Sequence, residues 1–131
     1  MCTSFERGGL RRLSRWLALP VLGAVACAAW AQAASPGFVA SPEVYKVIAQ
    51  NGKFRVIEVV WQPGQKDALH SHPDSAIFYV TDCSLRLEQP GVPTRTVQPR
   101  AGMAFVQGPI DAHVVQNVGS AECRLVMFEP V

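Results

Sequence analysis

Gly64-Gln65-Lys66-Asp67-Ala68-Leu69-His70-Ser71-His72, and further on Gly102-Met103-Ala104-Phe105-Val106-Gln107-Gly108-Pro109-Ile110-Asp111-Ala112-His113-Val114-Val115-Gln116-Asn117, hold all three histidines of this 131-residue chain. In extended backbone the first and third residues of His70-Ser71-His72 project to one face, about 6.5–7 Å apart, so both rings can converge on one ion. A histidine from another strand, His113, would complete a set of three. Taken alone, an H-x-H reads first as surface or hydrogen-bonded histidines, and its surroundings have to decide.

Outward from these stretches the chain reads as short strands and turns. Val44–Gln50 and Phe54–Trp61 are two β-rich runs joined through Asn51-Gly52, a pair that suits the positive φ angles of a type I′ hairpin turn. Pro63-Gly64 closes the second run. Ala76–Thr81, Ser84–Gln89, Thr94–Gln98, Met103–Gln107, His113–Val118 and Arg124–Glu129 follow, separated by Asp82-Cys83, Pro90-Gly91, Pro99 to Gly102, Gly108-Pro109 and Gly119-Ser120. Eight or nine short strands predict one all-β sandwich or small barrel, and the composition, 49% apolar and 17% charged, is that of a folded globular domain. There is no internal repeat, low-complexity tract or phosphate-binding glycine loop. In Ser84-Leu85-Arg86-Leu87-Glu88 the leucines share one face, whereas Ala76-Ile77-Phe78-Tyr79-Val80 is apolar on both and belongs inside a sheet.

With the histidines placed on this background, the sequence resembles the cupin superfamily. Gly64, five residues, His70, one residue, His72 opens that family's first motif; Gly102, six residues, Pro109, His113, three residues, Asn117 matches its second. The family writes a Glu three or four residues after the second His and a Gly beyond it. Counting three puts Ala76 at the Glu and Cys83 at the Gly, two departures, while Asp111 replaces a Gly of the second motif and the loop before His113 is one residue shorter. The likeness runs from about Val44 to Glu129. It implies a double-stranded β-helix, the cupin jelly-roll barrel, with His70, His72 and His113 pointing inward around one divalent metal ion: Fe, Zn, Mn, Ni or Cu. It also admits a homodimer.

Without the Glu, three neutral nitrogens leave open positions for water, a small-molecule substrate or O₂, which suits Lewis-acid or oxygen chemistry. Certain thiol dioxygenases of the superfamily use a three-His iron centre, so a dioxygenase-type enzyme is one expectation; a non-catalytic binder of metal or small ligand is the other. Asp74 could swing in as a carboxylate ligand, although Pro73-Asp74-Ser75 reads better as a turn. If Ala76 faces the interior, alternation puts Phe78 and Val80 there and turns Tyr79 away. Asn117 is expected to hydrogen-bond the turn that follows it. No serine nucleophile with a base and acid can be argued, so a covalent hydrolase is unsupported.

The N-terminus has a different character. Arg7, Arg11, Arg12 and Arg15 precede an apolar stretch from Trp16 to Ala29 and the small-residue triplet Ala31-Gln32-Ala33. That order predicts a secretory signal peptide, residues 1–33, cleaved after Ala33 to leave residues 34–131 as one secreted, periplasmic domain. The uncharged run of roughly 16 residues is short of the roughly 20 that span a bilayer. Val25-Ala26-Cys27 resembles a weak lipoprotein box, which would lipidate Cys27; otherwise no membrane partner is expected after cleavage. Arg11-Arg12 suggests twin-arginine export, but Ser14 and Arg15 stand where such signals are apolar. Cleavage takes four arginines and one glutamate from 12 basic and 10 acidic residues, leaving eight against nine and a net charge of −1, so nucleic acid is a poor partner. Cys83 and Cys123 remain, in an oxidising compartment, and the cupin likeness sets their strands side by side and antiparallel. They are a disulfide candidate, the alternative being two buried thiols.

Overall fold

The computed structural model describes Ala33–Val131. The expected leader, apart from Ala33, lies outside the described residues, as does Cys27. Among the described residues no helix is long and apolar enough to cross a membrane.

A single helical turn, α1 (Gly37–Ala40), precedes nine strands: β1 (Tyr45–Gln50), β2 (Phe54–Trp61), β3 (His70–His72), β4 (Ser75–Tyr79), β5 (Leu85–Gln89), β6 (Val92–Val97), β7 (Ala104–Gln107), β8 (Ile110–Asn117) and β9 (Cys123–Pro130). They form two antiparallel sheets, β1-β2-β9-β4-β7 and β3-β8-β5-β6, in the expected double-stranded β-helix. Period-two alternation builds the core between them. On β9 the buried positions are Cys123, Leu125, Met127 and Glu129; on β2 they are Ile57, Val59 and Trp61. Gly64, Gly91 and Gly102 have φ of 77°, 74° and 83° and turn the chain where L side chains would be strained.

Two expectations are corrected. The β1–β2 hairpin forms, but Gly52 is not in the positive-φ region a type I′ turn needs. Instead the Asn51 side-chain oxygen accepts from the Lys53 and Phe54 backbone N–H groups at 2.8 and 2.9 Å, closing a three-residue link. The second correction concerns the faces of β4. Ser75, Ile77 and Tyr79 are buried, whereas Phe78 and Val80 are 44% and 43% exposed. Pro73 and Asp74 break the extended run between β3 and β4, and that interruption reverses the parity that counting from His72 assumes. Ala76 therefore shares the outer face with Phe78, and Tyr79 points in.

β4 lies between β9 and β7, inside its sheet. Its pairing with β9 brings Cys83 and Cys123 together as a disulfide, Cα atoms 5.0 Å apart. Asn117 donates to the Trp61 and Ala121 carbonyls and accepts from Gly119 N–H, pinning the β8–β9 turn as expected.

Candidate metal centre

β3 is three residues long, yet it places two histidines because H-x-H puts both side chains on one face. Its neighbour β8 sets His113 directly opposite His70. The three rings meet with centroids 4.4 to 5.2 Å apart, and one nitrogen from each falls within 4.8 Å of the others. His70 and His72 are buried and His113 is 8% exposed.

Neighbouring acceptors fix which nitrogens face inward. His70 Nδ1 lies 2.8 Å from the Ala68 carbonyl oxygen, which can only accept, so Nδ1 carries the proton. Asp67 Oδ1, at 3.7 Å from the same nitrogen, is beyond hydrogen-bond reach. His72 Nδ1 donates to Glu129 Oε1 at 2.7 Å. Each ring then turns Nε2 inward, and these two atoms stand only 2.9 Å apart. His113 Nε2 is buried with no hydrogen-bond partner. Two lone pairs at that distance repel unless a cation lies between them, and two nitrogens sharing an ion at about 2.1 Å in adjacent positions stand about 3 Å apart. Burial lowers the His70 pKa to about 4; burial, reinforced by the neighbouring rings, lowers His113 to about 3. Both are neutral donors at ordinary pH, and the residues fit a metal ion.

Three further residues build the site, none expected as part of it. Asp67 accepts from Tyr45 Oη at 2.8 Å, Trp61 Nε1 at 3.1 Å and Val115 N–H at 2.7 Å. Burial raises the Asp67 pKa against those lowering hydrogen bonds, and burial, with Asp67 next to it, raises the Tyr45 phenol well above its usual value. The phenol stays protonated. With that proton given to Asp67, the Tyr45 oxygen turns a lone pair toward His70 Nε2, 2.9 Å away. Glu129 orients His72 as carboxylates orient metal-binding imidazoles, and the Arg55 guanidinium lies 3.9 Å from its other oxygen. Alternation along β9 carries the signal for Glu129, an acid on the apolar face. Asp67 and Tyr45 carry none that is local.

Asp74 is exposed and is not among the converging groups, so the ligand role considered for it is corrected. The expected gap at Ala76 belongs to Ile77, the residue reached by the family's four-residue spacing. Ile77 lines a cavity of about 370 Å³ that opens from the histidines, with Tyr79 where Phe78 was expected.

The cupin domain profile matches residues 57–129. No curated protein matches the chain. Among solved structures it is similar to a cupin domain from Bordetella pertussis Tohama I, at 26% identity and a TM-score of 0.63, covering 67% of this chain and 92% of that one. It also resembles an uncharacterized conserved protein with a double-stranded β-helix domain from Klebsiella pneumoniae, at 19% identity and a TM-score of 0.54 over 66% and 75% of the two chains. An RmlC-like cupin from Methanocaldococcus jannaschii, at 10% identity and a TM-score of 0.54 over 66% and 78%, shares the fold. With the profile spanning more than half its length and the fold matching, this chain belongs to the cupin domain family.

Proposed function

We propose that this is an exported cupin in which His70, His72 and His113 hold one divalent metal ion, and that it acts as a metal-dependent, dioxygenase-type enzyme on a small molecule. The observation that carries the reading is the pair of inward-facing Nε2 atoms at 2.9 Å, beside an unpartnered His113 Nε2, at the base of a largely apolar cavity. A bound ion supplies Lewis-acid or oxygen-binding chemistry through the positions a three-nitrogen donor set leaves open.

The chain's own residues do the rest. Ala68 and Glu129 keep the protons of His70 and His72 on the outer nitrogens, so the inner lone pairs stay available. Ile77, Tyr79, Leu85 and Met127 wall the cavity with mostly apolar surface. Tyr45 lines the same space with its hydroxyl proton committed to Asp67, so its oxygen is available there only as an acceptor. The Cys83–Cys123 disulfide supports export, since such bonds persist in oxidising compartments. A second reading, a non-catalytic periplasmic binder, is favoured by the lack of any carboxylate in the cavity wall.

The test is to express the full chain with its leader, release it from the periplasm, and measure mass, elemental content and oxygen uptake. A chain beginning at Ala34 with about one iron ion and substrate-dependent uptake is expected. Zinc without uptake overturns the enzyme in favour of the binder, and no binding of iron, zinc, manganese, nickel or copper overturns the metal site in either reading.

A further inference from the structure

We infer that the guest of this cavity is a small apolar carboxylate, gripped by Arg95 at the mouth while its other end faces the three histidines. The inference rests on the cavity being the functional site and names what enters it.

Arg95 differs from every other arginine among the described residues. Arg55, Arg86, Arg100 and Arg124 each reach a carboxylate: Glu129, Glu88, Asp82 and Glu58 respectively. Among the described residues no such partner meets Arg95, whose side chain is exposed. Its place is also different, because it is the one formally charged side chain in the cavity wall, which carries no Asp or Glu. The register explains how it comes to line the cavity. Arg95 on β6 pairs with Leu87 on β5, and Leu87 pairs with Val115 on β8, so all three share the inward face. The acidic partner of that strand pair, Glu88, is turned outward by alternation and bonds Lys66 at 2.8 Å instead.

Distance then limits the guest. His113 lies two residues before Val115 on β8, so two strand spacings across and two residues along put the Arg95 and His113 Cα atoms on the order of 12 Å apart. Both side chains rise from the same face of one sheet, so their tips keep roughly that spacing and leave room for a body of about one aromatic ring with a short chain. The wall between is Leu87, Val115 and Phe105, which favours an apolar body. A guanidinium presents a planar fork that matches a carboxylate, and such a charge-assisted pair strengthens where apolar walls displace water. A cation would meet Arg95 at the entrance and be repelled.

The experiment is isothermal titration calorimetry of the metal-loaded protein with 3-phenylpropionate and with its neutral counterpart 3-phenylpropanamide, on wild type, Arg95→Gln and Arg95→Lys. Wild type should bind the acid at least about tenfold more tightly than the amide. Arg95→Gln should erase that preference while leaving the amide's affinity and the metal content unchanged, and Arg95→Lys should retain part of it. Equal binding of acid and amide by wild type, or binding of neither, overturns the inference. So does a preference that survives Arg95→Gln, since the carboxylate would then be held elsewhere. Failure of the metal reading shows separately, as wild-type protein that takes up no ion whatever it binds at Arg95.

Discussion

Behind His70 the barrel is crowded and polar, whereas in front of the histidines, toward Arg95, it is open and apolar. The rear holds Tyr45, Trp61, Asp67 and the Val115 N–H in one buried set of hydrogen bonds, each group satisfied by another. The front is walled by Leu87, Phe105 and Met103, of which Phe105 and Met103 are 41% and 49% exposed. One side spends buried polar groups on fixing ligand direction; the other leaves apolar surface uncovered. That division is what a centre with a fixed ion and an exchangeable guest requires.

Removing the hub of the rear should have the largest effect. Asp67→Ala leaves the Tyr45 hydroxyl, the Trp61 N–H and the Val115 N–H buried without an acceptor, and we expect a loss of about 4 kcal/mol in chemical denaturation. A loss under about 1 kcal/mol would mean that water replaces the carboxylate and the rear is not closed.

Acid should reach the same region through the histidines. His70 and His113 titrate near 4 and 3 in the folded chain, below the value of about 6.5 expected when unfolded. Below pH 6.5 the unfolded chain therefore binds protons that the folded chain refuses, so metal-free stability is unaffected by these rings above pH 6.5 and falls as pH drops toward 4. Near pH 5 the slope should approach about 2 kcal/mol per pH unit, read from urea midpoints across pH, and a His70→Gln, His113→Gln variant should flatten it. An unchanged slope in that variant would place the titration elsewhere.

The front should respond less. Phe105 touches Tyr79 with ring centroids 6.0 Å apart but is partly in solvent, so Phe105→Ala should cost about 1 kcal/mol in stability. A loss above about 3 kcal/mol would show the mouth to be core. The smallest effect is expected on the outer face: Ala76→Glu should leave metal affinity unchanged in a metal competition assay, because its carboxylate points away from the histidines. Tighter binding would reverse the assignment of faces on β4.

Much of this architecture is legible in the residues. Alternation in Phe54–Trp61 and Cys123–Glu129, with turns at Pro63-Gly64 and Pro90-Gly91, marks strands that the structure bears out, and the three histidines converge as the spacing of His70, His72 and His113 predicts. What escaped depends on phase and on distance. Ala76 and Ile77 are adjacent, both apolar, and only the interruption at Pro73-Asp74 decides which faces inward; a count from His72 cannot see it. Tyr45 and Asp67 are 22 residues apart and meet only when β1 folds across the segment leading to β3. Arg95 looks like any surface arginine until its neighbours show that, among the described residues, no carboxylate answers it.

The most direct measurement of the central claim is a metal-binding titration of metal-free protein, with Zn(II) as the probe, for wild type, His113→Ala and Glu129→Gln. One ion per chain should bind wild type. Binding should be lost in His113→Ala, while Glu129→Gln, which weakens the acceptor behind His72 and leaves all three ligands in place, should reduce affinity about 10- to 100-fold. Zinc bound equally by wild type and His113→Ala, or by neither, would contradict a three-histidine metal centre.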